Sequence, residues 1–180
     1  SVAPVYAVSA EASPAEGGQV TISATEVQEN ATVSLTATAN EGYEFVNWTV
    51  AGTEVSAEAN FTSEAITAET AFVANFQAKE YTITYIVDGE EYATETYDFG
   101  ATVTPVEAPT KAGYTFSGWS EVPATMPAND VEVTGTFTIN NYTITYIVDG
   151  EEYATETYDF GATVTPVAAT GRASCRESGW

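Results

Sequence analysis

The chain has no histidine and one cysteine, Cys175, in 180 residues. Without histidine there can be no imidazole base and no metal centre built on imidazole. A single cysteine leaves no disulfide within the chain, unlike a small eukaryotic secreted domain. Basic residues are nearly as scarce: 4 Lys and Arg stand against 26 Asp and Glu, a formal net charge of −22. Such a surface repels phosphate and sulfate, so nucleic acid, anionic lipid and heparin-like glycans are not expected partners. No apolar run approaches the roughly 18–20 residues of a membrane span, so membrane insertion is not expected either. The opening Ser1-Val2-Ala3-Pro4 shows no charged-then-apolar leader, and Ser1 reads as the cut edge of a longer chain.

What the chain does have is a repeat. Residues 81–106 read YTITYIVDGEEYATETYDFGATVTPV, and residues 142–167 are identical, 61 positions on. A period of that size marks tandem modules. Two copies kept letter for letter point to one mechanical or adhesive task done in series. Within each copy Thr, Val, Ile and Tyr alternate, which predicts strands. Tyr81, Ile83, Tyr85 and Val87 fall on one face, with Thr82, Thr84 and Ile86 on the other. Asp88-Gly89 and Asp149-Gly150 then predict two-residue hairpin turns, because both central positions of a type I′ turn need φ > 0. The return strand should run from Glu90 to Phe99, and Pro105 and Pro109 exclude a central strand after it. GYTFSGW (113–119) opens another strand, and VEVTGTFTI (131–139) reads as a last alternating strand.

The N-terminal part follows the same plan at a distance. GYEFVNW (42–48) stands against GYTFSGW, and Ala31-Thr32-Val33 against Ala101-Thr102-Val103. The Trp48-to-Phe76 spacing is 28 residues and the Trp119-to-Phe137 spacing 18, so the first module carries about ten extra residues around Gly52 to Ala65. Gly17-Gly18 marks an early turn. Three segments are therefore expected: 1–78, 81–140, and 142–180 as a truncated copy. In the last, AATGRASCRESGW replaces EAPTKAGYTFSGW, and the tail is read as a boundary artefact or a sequence error.

The GYxFxxW motif, with its hairpin, ATV turn and closing strand ending in Phe, resembles the bacterial surface repeats of the internalin B-repeat group. Residues 81–140 resemble the Listeria–Bacteroides repeat, and residues 1–78 the divergent internalin B-repeat. The resemblance implies an all-β, β-grasp-like fold of small modules joined end to end. It further implies an extracellular place, on a bacterial cell surface or secreted, and a spacer or adhesive role with no enzymatic activity and no cofactor. The poverty in cysteine suits that source. Some relatives bind glycosaminoglycan through basic surfaces; the charge here argues against carrying that over.

The residues singled out are mostly structural. Tyr43, Phe45, Trp48 and Phe76 in the first module, and Tyr114, Phe116, Trp119 and Phe137 in the second, are expected core aromatics, since a module of about 60 residues needs large side chains inside. For Trp48 and Trp119 the alternative is a sugar-stacking platform. Tyr85, Tyr92 and Tyr97 are expected to pair across their hairpin, with binding of a host or neighbouring surface protein or glycan as the alternative. Gly42 and Gly113 read as turn glycines. Asp88, Glu90 and Glu91 form an acidic cluster without the loop spacing of a calcium site, so no metal is expected. Asn30, Asn47, Asn60 and Asn141 head N-x-Thr triplets of the kind that Thr-rich strands produce by chance.

Overall fold

The computed structural model describes residues 2–168. The aberrant tail and Cys175 lie outside the described residues from 169 onward. The chain divides into two compact units. One holds residues up to 106 together with 119–134; the other holds 107–118 together with the residues from 135 onward.

The first unit begins with β1 (Val5–Ser13), a turn of 3-10 helix at Ala15–Gly17, β2 (Gly18–Ile22), β3 (Glu26–Gln28) and β4 (Ser34–Ala39). It continues with β5 (Tyr43–Val50), β6 (Thr53–Ser56), β7 (Asn60–Thr62) and β8 (Thr70–Ala78). These make a five-stranded sheet, β3-β1-β8-β5-β6, and a three-stranded sheet, β2-β4-β7. Every pairing is antiparallel except β1 with β8, which run parallel from Val8↔Thr70 to Ser13↔Asn75. Alternate residues of both sheets meet in one core of Val8, Leu35, Trp48, Phe72, Ala74 and Phe76, joined by Val33 and Ile66 from the loops. Gly17 and Gly18 close the early turn and lie directly under the Phe76 ring, where a Cβ at either position would collide with it. The ten extra residues form the β5–β6 hairpin, turning at Ala51-Gly52, together with β7.

The same unit holds β9 (Glu80–Val87), β10 (Glu90–Asp98) and β12 (Val131–Gly135), in the order β10-β9-β12. Its core is Ile83, Tyr85, Val103, Met126 and Val133. The second unit holds β11 (Tyr114–Phe116) paired with β13 (Phe137–Ile139), and the hairpin of β14 (Asn141–Val148) with β15 (Glu151–Asp159).

Two expectations need correction. Residues 131–139 are not one strand: β12 ends at Gly135 and β13 starts at Phe137 in a different sheet. Gly135 is where the Phe116 ring crosses the backbone, at a place no Cβ could occupy. Likewise only Tyr114–Phe116 of GYTFSGW is strand. The following Ser117 bonds both ways with Thr136, its N–H donating to the Thr136 carbonyl at 2.9 Å and its Oγ accepting from the Thr136 N–H at 3.0 Å.

The chain is all-β among the described residues, apart from that single 3-10 turn, and is built of small repeated sheets.

Candidate functional site

The hairpin β9–β10 turns at Asp88 and Gly89, whose φ angles are +52° and +86°; Asp149 and Gly150 turn β14–β15 at +52° and +82°. A Cβ at Gly89 would meet open space, so the turn asks for glycine through its backbone alone. The alternating residues of β9 then present Ile83 and Tyr85 inward, both fully buried.

Tyr85 is therefore not a surface residue. Its hydroxyl donates to Glu95 Oε2 at 3.3 Å, and its ring takes Trp119 edge-on at 5.0 Å between centroids. The ring is covered by Trp119 on one side and sits among Val103, Met126 and Val133. This overturns its candidacy for surface binding: the strand face that carries it is the core face. Tyr97 is half-buried, its hydroxyl within 3.1 Å of both Glu95 Oε2 and the Thr104 carbonyl. Burial, reinforced by the Glu95 carboxylate, raises the Tyr97 phenol above its ordinary value; burial likewise raises Tyr85. In the third copy Tyr146 and Tyr158 repeat the motif, both donating to Glu156 Oε2, at 3.0 and 2.9 Å.

Tyr92 is the exposed member, at 48%. Its ring tilts against Trp119 at 5.8 Å, and the Trp119 indole N–H donates to the Val106 carbonyl at 3.0 Å. Together the two rings make an aromatic ledge, of which Trp119 is only partly buried. Trp119 is thus a lid on its core and not the centre expected of it. The centre is Ile83, Tyr85, Met126 and Val133. Trp48 differs: it is wholly buried, with its indole N–H donating to the Ala59 carbonyl at 3.3 Å. Phe45 packs on both Trp48 and Phe76 in the first core, with Tyr43 at its margin.

Tyr114, Phe116 and Phe137 also part from expectation. They do not share the core of β9 but form their own aromatic group in the second unit, Phe116 and Phe137 at 5.3 Å. Lys111 caps it, with Nζ 4.0 Å from the centre of the Tyr114 ring.

One hollow was not foreseen from the sequence. Val50, Val55, Phe61, Ser63, Ile66 and Phe72 line about 400 Å³ in the first unit. Val55, Phe61 and Ser63 belong to the extra residues of the first repeat, the only hint the sequence offered. Its buried polar residue, Ser63, is committed to backbone: Oγ accepts from the Val33 N–H at 3.0 Å and donates to the Glu64 carbonyl at 2.8 Å. Among the described residues no buried side-chain polar atom lacks a partner, and no three Asp, Glu or Cys residues gather as a metal site would require. Among the described residues no helix is long and apolar enough to cross a membrane.

Residues 8–80 match the family described as the divergent InlB B-repeat domain, and residues 81–139 match the Listeria–Bacteroides repeat domain. Internalin H of Listeria monocytogenes is 36% identical over 81 residues, covering 39% of this chain and 15% of its own length. A putative membrane protein of Evansella cellulosilytica is 28% identical over 159 residues, covering 78% of this chain and 23% of its own length. The chain thus spans less than a quarter of either relative, and the families it matches are repeat domains and not enzymes. The chain belongs to the internalin B-repeat group.

Proposed function

We propose that this segment is a non-catalytic spacer in a bacterial surface or secreted repeat protein. One observation carries the reading: the 26 residues 81–106 recur unchanged at 142–167, as expected where the number of modules matters more than the chemistry of any one. Internalin-like relatives support a surface repeat protein. The acidic surface keeps neighbouring copies apart in solution and makes phosphate and sulfate polymers poor partners.

The second reading is an adhesive module for a protein or glycan, favoured by the exposed Tyr92 beside Trp119. The two separate by experiment. The parent protein is displayed on cells with one, two or four copies of residues 81–141. A spacer changes the reach of the displayed ligand-binding region and leaves its affinity alone. Adhesion that grows with copy number and vanishes on Tyr92→Ala in every copy would establish the adhesive reading instead.

A further inference from the structure

The second and third copies each end their first hairpin with a joint to the repeat before it, and the joint is built the same way twice. In the first unit the Lys79 N–H donates to the Gly42 carbonyl, and the Phe99 N–H donates to the Lys79 carbonyl, both at 2.8 Å. In the second unit the Asn140 N–H donates to the Gly113 carbonyl and the Phe160 N–H to the Asn140 carbonyl, again both at 2.8 Å. Lys79 and Asn140, and Phe99 and Phe160, are each 61 positions apart. Gly42 and Gly113 open the two GYxF motifs, with φ of +79° and +78°. In both, the phenylalanine ring of the following hairpin lies where a glycine Cβ would be. Tyr43 adds an edge-on contact to Phe99 at 5.6 Å.

The first repeat has the same turn but not the same joint. Asn30, at φ +68°, stands where Gly100 stands at +76°, and Ala-Thr-Val follows both. The backbone bonds fix the alignment: Asn30 N–H to the Ile66 carbonyl and Gly100 N–H to the Met126 carbonyl are both 2.8 Å. Glu29 N–H to the Pro4 carbonyl matches Phe99 N–H to the Lys79 carbonyl, also at 2.8 Å. Pro4 therefore holds the place of Lys79 and Asn140, and Glu29 that of Phe99 and Phe160. Proline has no N–H to give an upstream glycine carbonyl. Glutamate, exposed here, has no ring to lay on that glycine. Both halves of the upstream contact are missing together.

We propose that the Gly-Tyr end of a repeat is a docking surface whose partner is the Asp-Phe-Gly end of the next repeat's first hairpin. Each repeat is steadied by the one after it, and the first repeat is built to start such a series, not to continue one. A segment N-terminal to it would be coupled by some other contact.

The test is amide hydrogen exchange on the full chain. Gly42→Ala forces a Cβ into the Phe99 ring, and Gly52→Ala imposes the same left-handed strain in the same repeat with open space around it. Gly42→Ala should speed exchange at residues 82–97 of the second repeat about tenfold or more, while Gly52→Ala leaves them unchanged. Equal effects, or none from Gly42→Ala, overturn the proposal. A second background, Lys79→Pro with Phe99→Glu, writes the residues of the first repeat into the second. There Gly42→Ala should no longer reach residues 82–97. If it still does, the coupling runs through other contacts and the directional joint is wrong.

Discussion

Trp119 meets Tyr85 edge-on, their ring centres 5.0 Å apart and their planes at 63°, so that the half-buried indole seals the buried phenol. The pair divides its work by depth. Tyr85 is inside, and truncating it to Ala should cost roughly 3–5 kcal/mol, the range for a buried aromatic. Trp48→Ala in the first repeat should fall in the same range, since Trp48 has no exposed surface at all. Trp119→Ala should cost clearly less than either. Denaturant unfolding of the three variants gives the order directly, and a Trp119 variant as unstable as the Trp48 variant would mean that the indole is core.

Alkali should find the same cluster. The phenols of Tyr85 and Tyr97 are raised above the ordinary 10.0, chiefly by burial. A raised acid binds its proton more tightly in the folded state. The stability this gives is complete below pH 10 and is lost as pH climbs through the raised folded values. The chain should therefore lose stability above pH 10, with Tyr85, Tyr97 and Tyr158 ionising above the ordinary phenol value in a spectrophotometric titration. Tyr85→Phe should flatten that loss. An unchanged alkaline slope in Tyr85→Phe would show that Tyr85 is not the group responsible.

The acidic surface makes a simple chromatographic prediction. The chain should pass through heparin and DNA columns at physiological salt, where screening beyond about 8 Å leaves only specific contacts. Retention at about 0.15 M salt would reveal a basic site that 4 cations among 26 acids do not suggest.

The two identical hairpins offer an internal control. Ile83 and Tyr85 are completely buried, whereas Ile144 and Tyr146 are only half-covered and Val148 is 52% exposed. β9 has β12 at its side, while β14 is paired with β15 in a two-stranded sheet. A two-stranded hairpin is marginal in water. Amides of residues 143–158 should exchange faster than those of 82–97 in dilute monomer, and equal protection would show that the hairpin is stable without the sheet and core that β9 has.

Much of this was legible in the sequence, and the rest was hidden for particular reasons. The alternation from Tyr81 to Val87 placed Ile83 and Tyr85 on one face; what it could not say was which face would be covered. Met126 went unnoticed because it sits in the polar, Pro-bearing stretch 120–130, where no periodicity flags a core residue, yet it is 1% exposed. The break between β12 and β13 was invisible because VEVTGTFTI alternates without a fault. Only the crossing of Phe116 at Gly135 ends one sheet and starts another. The hollow beside Phe61 and Phe72 comes from an insertion whose length was readable and whose shape was not.

The parallel pairing of β1 with β8 in the first repeat decides how that repeat bears tension. The chain enters along β1 and leaves along β8, and six residue pairs, Val8↔Thr70 to Ser13↔Asn75, run between them in the same direction. Force applied at the two ends lies along the strands, so it loads these bonds together in shear. An antiparallel pair pulled from adjacent ends would instead open one bond at a time. To yield, β1 must slide past β8 while Val8 and Phe72 are drawn from a shared core. The repeat resists pulling with its whole ladder at once.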